Sequence, residues 1–284
     1  MGNPITHSKS PQIHAAFAAQ TGQRVVYSAT QVDPGGFEQA VGNFFAHNGK
    51  GLNITVPFKR EAWALAGELG PEAKLAGAVN TLLMDKDGVL VGRNTDGLGL
   101  VRDILHNHGG RIEGQKVLLI GAGGAARGVL QPLLAEAPAE LLIVNRTPNR
   151  AYELATDFSA VCKEQSNEHM PNISSIKSAG FDDLANTKQS FDLIINATAA
   201  SLQGEVPPLP DACCTANTWC YDMMYSAEPT PFMQWGEQRG AKVTLDGLGM
   251  LVEQAAESFL HWRGVRPKTA PVIQKIRAEL LNTL

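Results

Sequence analysis

No run among the 284 residues approaches the roughly 18 uninterrupted apolar positions that a membrane-spanning helix requires. Basic clusters are missing too. Lys and Arg number 24 against 28 Asp and Glu, a net charge of −4, which leaves no electrostatic footprint for nucleic acid. Cysteine is scarce. The four cysteines, Cys162, Cys213, Cys214 and Cys220, form no CxxC, and no histidine stands at ligand spacing from them. They read as reduced thiols in a cytoplasmic protein, with no metal site and no disulfide. A charged-then-apolar leader is absent from the N-terminus, so nothing marks the chain for export. His106 and His108 are two positions apart and would not share a helix face, and all seven histidines read as structural or surface residues.

What is present is the composition of a folded α/β chain, 44% apolar and 18% charged, long enough for two domains. Short β-branched runs alternate with Ala/Leu-rich stretches, the rhythm of βαβ units and a mostly parallel sheet. "SKSPQIHAAFAAQTGQ" predicts a helix with Ser10 as N-cap, Pro11 in its first turn and Gly22 at its end. A second helix is expected over 37–46, then a strand over 51–56 whose buried face is Leu52, Ile54 and Val56. Two runs flank the Asp87-Gly88 turn as a hairpin. "NTDGLGLVRDIL" reads as a helix linking two domains. Further strands fit 116–120, 141–144, 191–196, 218–221 and 242–245, the stretch 162–180 reads as loop, and two helices close the chain.

"GAGGAA" places Gly121, Gly123 and Ala126 at the spacing G-x-G-x-x-A, directly after a buried strand and before a helix. In that context the glycines allow a tight turn and close approach of backbone to a pyrophosphate, which the helix N-terminus attracts. An NAD site carries Asp or Glu at the end of the next strand. Here Asn145, Arg146, Thr147 and Arg150 follow, and arginines suit a 2′-phosphate that a carboxylate would repel, so the cofactor expected is NADP. Asn196, Ala197 and Thr198 end a later strand, where the nicotinamide half would lie.

The N-terminal half gathers polar residues of another kind. Asn53 and Thr55 share a strand face, Lys59 follows within a turn, and "THSKS", "NTDG" and the isolated Asn80 lie in the same half. Hydroxyls, amides, one lysine and one aspartate suit a small polyol bearing a carboxylate. Each has a plainer reading as a cap, a turn or a solvated charge: Asp96 could N-cap the helix that begins at 97.

In order along the chain, "GNPITHSKSP", "NITVPFK", "GAVNT", "NTDGLG", "GAGGAARG", "NRT", "YDMMY" and "DGLGMLVEQAA" resemble the motifs of the shikimate dehydrogenase family, and the resemblance runs from nearly the first residue to the last. It is closest to the bacterial biosynthetic branch. The resemblance implies NADPH-dependent reduction of 3-dehydroshikimate to shikimate in aromatic amino acid biosynthesis. It implies that Ser8 and Ser10 hold the substrate carboxylate, that Asn53, Thr55, Asn80, Asp96, Tyr225 and Gln254 line the rest of the substrate site, and that Lys59 and Asp96 are the catalytic pair. It assigns Gly121, Ala122, Gly123, Gly124, Ala125, Asn145, Arg146, Thr147 and Arg150 to NADP, with Thr198, Met223 and Gly247 on the nicotinamide side. The architecture implied is α/β: an N-terminal substrate domain over 1–97, a Rossmann-type doubly wound domain over 98–240, and C-terminal helices over 241–284 that return to the substrate domain. A monomer or homodimer is expected.

Two departures from the family pattern stand out. The family carries a short apolar strand ahead of "GNPI" that this sequence lacks, which would leave its sheet partners exposed. After "NAT", Ala199, Ala200 and Ser201 replace a segment that usually contains glycine, which should restrict the loop beside the nicotinamide. The competing readings are a quinate/shikimate dehydrogenase with relaxed cofactor use and a non-catalytic nucleotide-binding relative.

Overall fold

Among the described residues two sheets divide the chain, one of four strands and one of six. The computed structural model describes residues 1–165 and 176–282, with side chains of 160–165 outside the description. The N-terminal half runs α1 (Ser10–Thr21), α2 (Phe37–Ala46), β1 (Gly51–Asn53), α3 (Lys59–Leu65), β2 (Glu68–Leu69), α4 (Pro71–Ala76), β3 (Thr81–Met84), β4 (Leu90–Arg93) and α5 (Asp96–Arg102). Its sheet has the order β1-β3-β4-β2, with β3 antiparallel to both of its neighbours, β1 and β4, and β2 parallel to β4. The β3–β4 pair is the hairpin expected around Asp87-Gly88, and Gly88 takes the left-handed conformation there. Phe37 stacks on Phe58 with centroids 5.0 Å apart, and Val41, Leu52, Ile54 and Leu82 complete the core beneath this sheet.

Three expectations for this half need correction. Lys9, not Ser10, is the N-cap of α1; the Ser10 N–H instead donates to Ser8 Oγ at 3.3 Å, and Gly22 ends the helix in the left-handed region. The predicted strand stops at Asn53. The chain turns at once, Phe58 N–H donating to Thr55 O, and this rotates Val56 outward to 69% exposure. The expected gap in the sheet is bridged by residues 1–3: Asn3 N–H bonds to Val56 O and Thr55 N–H to Met1 O, while Gly2 bridges Gln31 on the other side.

The second half runs β5 (Lys116–Ile120), α6 (Gly124–Ala135), β6 (Glu140–Val144), α7 (Pro148–Gln165), β7 (Ile176–Ala179), α8 (Phe181–Ala185), β8 (Leu193–Asn196), β9 (Trp219–Asp222), α9 (Pro231–Gln238) and β10 (Val243–Leu245). All six strands are parallel, in the order β10-β9-β8-β5-β6-β7. The order reverses between β5 and β8, the crevice where a doubly wound sheet takes its ligand. Both faces of the sheet are covered, which explains why β5, β6 and β8 read as unbroken apolar runs. The loop expected over 162–180 is corrected: α7 extends to Gln165, and Ile176–Ala179 pairs with β6 as an edge strand. Residues 166–175 lie outside the described residues. An edge strand of four residues has too short an alternation to stand out in a polar stretch.

The helix linking the halves is α5, which passes into a π-helical turn over Asp103–Asn107. Asp103 is fully buried and accepts from the Tyr221 hydroxyl of β9 at 2.7 Å, tying the linker to the second sheet. α10 (Leu248–Arg263) and α11 (Ala270–Leu281) then return to the N-terminal half. Val252, Ala255 and Phe259 of α10 pack with Ile13 and Phe17 of α1 and with Val272 and Ile276 of α11. α10 also crosses α5 at Gly99, where a Cβ would come within 2.8 Å of the Gln254 amide nitrogen. Only glycine lets the two backbones approach that closely.

Candidate active site

Lys59 is the first residue of α3 and Asp96 the first of α5. Lys59 Nζ donates to Asp96 Oδ2 at 2.5 Å, with the lysine side chain 30% and the aspartate 13% exposed. Asp96 does not cap its helix. Thr95 is the N-cap, and the Asp96 N–H is taken by Asn94 Oδ1 at 3.1 Å, so the carboxylate is left to other partners. Its Oδ1 accepts from Asn80 Nδ2 at 2.8 Å. Asn80 is almost fully buried and its own orientation is fixed: Oδ1 accepts from Thr95 N–H at 2.9 Å and from Thr81 Oγ1 at 2.9 Å. Gln254 reaches the same cluster from α10, its Oε1 3.3 Å from Asn80 Nδ2 and from Thr95 Oγ1. Every partner but the lysine is in turn held, so the carboxylate is presented in one orientation.

Above this cluster lies a cavity of about 370 Å³. Ser8, Ser10, Asn53, Thr55 and Lys59 line it, as do Asn80, Asp96, Tyr225 and Gln254, so the structure brings all nine expected substrate residues to one space. Gly247 and Met250 complete the wall toward the six-stranded sheet. Tyr225 has its phenol pushed upward by burial and then by the nearby Asp246 charge. Asn53 is braced from the protein side, donating to Ser258 Oγ at 2.9 Å and Thr81 Oγ1 at 3.2 Å.

The sequence reading missed four residues of this region. Tyr27 lines the cavity and donates to Asn53 Oδ1 at 2.9 Å. Thr95 and Ser258 are fully buried members of the Asn80 network. Ser258 follows Gln254 by four positions on α10 and accordingly lies on the same helix face, a signal present in the sequence. Asp222, at the end of β9, accepts from Ser201 Oγ at 2.6 Å, Thr230 Oγ1 at 2.7 Å and Asn196 Nδ2 at 3.1 Å. Burial pushes its carboxyl above the usual range against those bonds and a fourth from the Met224 N–H.

At the carboxyl ends of the parallel strands, β5 enters the glycine turn. Gly121 has φ +111° and sits where a Cβ would come 3.2 Å from Ala197 O, so glycine is required both by conformation and by space. A Cβ on Gly123, the N-cap of α6, would meet nothing within 4 Å, leaving open room over Ala122, Gly123 and the first N–H groups of Gly124 and Ala125. Beyond β6, Asn145 Nδ2 closes a turn on Thr147 O at 3.0 Å. Arg146 and Arg150 are exposed and form no ion pair among the described residues. An open glycine cradle, two free guanidiniums and no acid at the strand end fit NADP.

Thr198 is oriented by Asn196, whose Oδ1 accepts from both its N–H at 3.1 Å and its hydroxyl at 2.7 Å. Met223 N–H bonds to Asn196 O at 3.0 Å and Gly247 N–H to Met224 O at 3.0 Å, so Thr198, Met223 and Gly247 cluster at adjacent strand ends beside the cavity. The restriction expected from Ala199, Ala200 and Ser201 does not arise. None of the three has positive φ, and Ser201 is committed to Asp222. The loop reverses at Gly204 instead, with φ +74°.

Cys213, Cys214 and Cys220 are buried free thiols, and burial pushes all three upward in pKa; the Cys162 side chain lies outside the described residues. Among the described residues no group of His, Cys, Asp or Glu is placed to hold a metal ion, and no helix is long and apolar enough to cross a membrane.

Comparison with known proteins gives concordant results. Residues 1–82 match the family described as shikimate dehydrogenase substrate binding domain, 103–203 that of shikimate/quinate 5-dehydrogenase, and 247–277 that of the shikimate 5′-dehydrogenase C-terminal domain. The chain is 56% identical to the NADP(+) shikimate dehydrogenase of Nitrosococcus oceani, over 99% of this chain and 94% of that one. It is 54% identical to that of Alkalilimnicola ehrlichii, over 98% and 97%. Among solved structures, an Ael1 enzyme from Pseudomonas putida superposes with a TM-score of 0.85 at 41% identity, covering 96% of this chain and 95% of that one. Shikimate 5-dehydrogenase of Thermus thermophilus, in complex with NADP(H) and shikimate, gives 0.82 at 28% identity, covering 98% and 97%.

Proposed function

The chain belongs to the shikimate dehydrogenase family, and we propose that the cavity between its two sheets is the active site, with Lys59 and Asp96 as the catalytic pair. The protein catalyses the reversible NADP-dependent reduction of 3-dehydroshikimate to shikimate, a step of the shikimate pathway to aromatic amino acids. The observation that carries the assignment of the site is the Lys59–Asp96 contact of 2.5 Å on the floor of a cavity lined by hydroxyls and amides.

Bound NADPH supplies the hydride. Gly121, Ala122, Gly123, Gly124 and Ala125 hold its pyrophosphate at the start of α6. Arg146 and Arg150 clamp the 2′-phosphate, with Asn145 and Thr147 beside the adenosine ribose. Thr198, Met223 and Gly247 border the nicotinamide. On the substrate side, Ser8 and Ser10 hold the carboxylate at the start of α1, and Asn53, Thr55, Asn80, Tyr225 and Gln254 take the ring hydroxyls.

As the ketone is reduced, negative charge grows on its oxygen. The Lys59 ammonium stabilises that charge and gives the oxygen its proton. Asp96 holds the ammonium in place through Oδ2, while Asn80 fixes the carboxylate through Oδ1. In the reverse direction the pair takes the proton from the hydroxyl being oxidised.

Residues 1–97 form the substrate domain in this reading, 98–240 the cofactor domain, and 241–284 the helices that carry Gln254 back to the substrate. The protein works in the cytoplasm as a monomer or homodimer, which sedimentation velocity distinguishes. The test of the site and its cofactor is spectrophotometric: shikimate and quinate are each offered with NADP+ and with NAD+. Rapid turnover of shikimate with NADP+ alone is expected. Preference for quinate or for NAD+ would remove the roles given to the arginines and to the hydroxyl-lined cavity.

A further inference from the structure

His14 lies on α1, fully buried, and among the described residues neither ring nitrogen has a hydrogen bond of ordinary geometry. Burial accordingly lowers its pKa to about 3, against a weaker upward pull from Asn53, and the imidazole is neutral. A buried imidazole without strong polar partners costs free energy, so its place needs another explanation. It is a stacking platform. The Tyr27 ring lies flat on it, centroids 4.2 Å apart and planes 7° from parallel, and Trp262 closes the group at 5.3 Å. Tyr27 comes from a segment, 23–30, with no regular secondary structure, so this stack and the hydroxyl's bond to Asn53 are what fix its ring.

The Tyr27 hydroxyl reaches the cavity wall between Ser10 and Asn53. Its single proton is spent on Asn53 Oδ1 at 2.9 Å. The Asn53 amide cannot rotate to give a different partner, because Nδ2 is bound to Ser258 and Thr81. Tyr27 therefore presents its oxygen only as a hydrogen-bond acceptor, to the cavity and to the neighbouring Ser10 hydroxyl, whose hydrogen bond the carboxylate assigned to Ser10 would draw away. An acceptor suits a hydroxyl group and repels a carbonyl or carboxylate oxygen at the same spot.

We propose that Tyr27 is a further substrate residue: stacked on His14 and oriented by Asn53, its oxygen accepts a hydrogen bond from one of the two ring hydroxyls of shikimate that do not react. This rests on placing the substrate in the cavity described above. It adds a determinant that selects a hydroxyl donor at one ring position.

Tyr27→Phe keeps the ring and the stack and removes only the acceptor. The KM for shikimate rises about fivefold to tenfold, the loss of one hydrogen bond, while kcat and the KM for NADP+ change less than twofold. The deciding measurement uses two shikimate analogues, each lacking one of the two non-reacting hydroxyls. With the analogue that lacks Tyr27's partner, wild type and Tyr27→Phe have equal KM; with the other, the full penalty remains. An equal penalty on shikimate and both analogues marks a general loosening of the site and overturns the proposal, as does no penalty on any. Asn53→Ala separates the failures. If it raises the KM while Tyr27→Phe does not, Tyr27 alone is wrongly assigned; if neither does, the substrate lies elsewhere and both readings fall.

Discussion

Lys59 and Asp96 stand 37 positions apart in the chain and 2.5 Å apart in space, each at the first residue of its helix. Neither helix is long, and neither residue caps its own. The pair is made where α3, packed in the core of the mixed sheet, meets the start of α5 just after β4, with Asn80, just ahead of β3, bound to the other carboxylate oxygen.

Removing the ammonium tests the chemistry directly. Lys59→Ala should lower kcat by about 10²–10⁴, the usual worth of a positioned proton donor, with a much smaller change in shikimate binding. Stopped-flow and steady-state kinetics with NADPH and 3-dehydroshikimate separate the two. A near-normal kcat would end the catalytic assignment.

Cofactor choice is expected to reside in two exposed guanidiniums. Changing Arg146 and Arg150 together to Gln should weaken NADPH binding by about 10- to 100-fold, the loss of charge-assisted hydrogen bonds at roughly 1.5–3 kcal/mol in total, and leave NADH binding nearly unchanged. Fluorescence titration with both nucleotides measures it. Equal losses would show that the arginines act on something other than the 2′-phosphate.

The crossing of α5 and α10 has no room for a side chain. Gly99→Ala would place a methyl 2.8 Å from the Gln254 amide nitrogen and the Met250 carbonyl, which are backbone atoms and cannot rotate away. The helices must separate, at a cost of about 1–3 kcal/mol. Thermal denaturation should show the lowered Tm, and because Gln254 moves with its helix, the KM for shikimate should rise as well. A variant with wild-type Tm would mean that the crossing relaxes freely.

His14 gives a pH signature to stability. Its folded pKa, about 3, lies below the unfolded value of 6.5, so the unfolded chain binds the extra proton between those limits. Its contribution is complete above pH 6.5 and is lost as pH falls, at up to about 1.4 kcal/mol per pH unit. Asp103 and Asp222, both pushed upward by burial, act in the opposite sense over part of that range. The useful quantity is therefore a difference. Denaturant unfolding of wild type and His14→Phe between pH 4 and 7 should give curves that converge as pH rises toward 7 apart from a constant packing offset, and diverge in favour of the variant as pH falls. A pH-independent difference would mean that the imidazole takes up its proton while folded.

The β-branched runs of β5, β6 and β8, the glycine turn between β5 and α6, and the two arginines after β6 were legible because each is a local pattern. A buried parallel strand must be apolar throughout, a left-handed turn must be glycine, and a clamp for a 2′-phosphate must lack an acid nearby. The hydroxyls, amides, lysine and aspartate that line the cavity were legible as a set, since they recur in family order along the chain. What the set could not convey is orientation. Ser10 looked like a helix cap and lines a cavity; Asp96 looked equally able to cap a helix, and its cap is provided by Thr95 and Asn94. Val56 looked buried and points outward because the strand ends three residues before it. The edge strand Ile176–Ala179 was hidden, since one short alternation in a polar stretch has no local signal until β6 pairs with it. Tyr27 and His14 carry no motif at all. Their roles exist only where α1, the segment before α2 and α10 converge, because stacking and hydrogen-bond direction depend on the position of groups far apart in the chain.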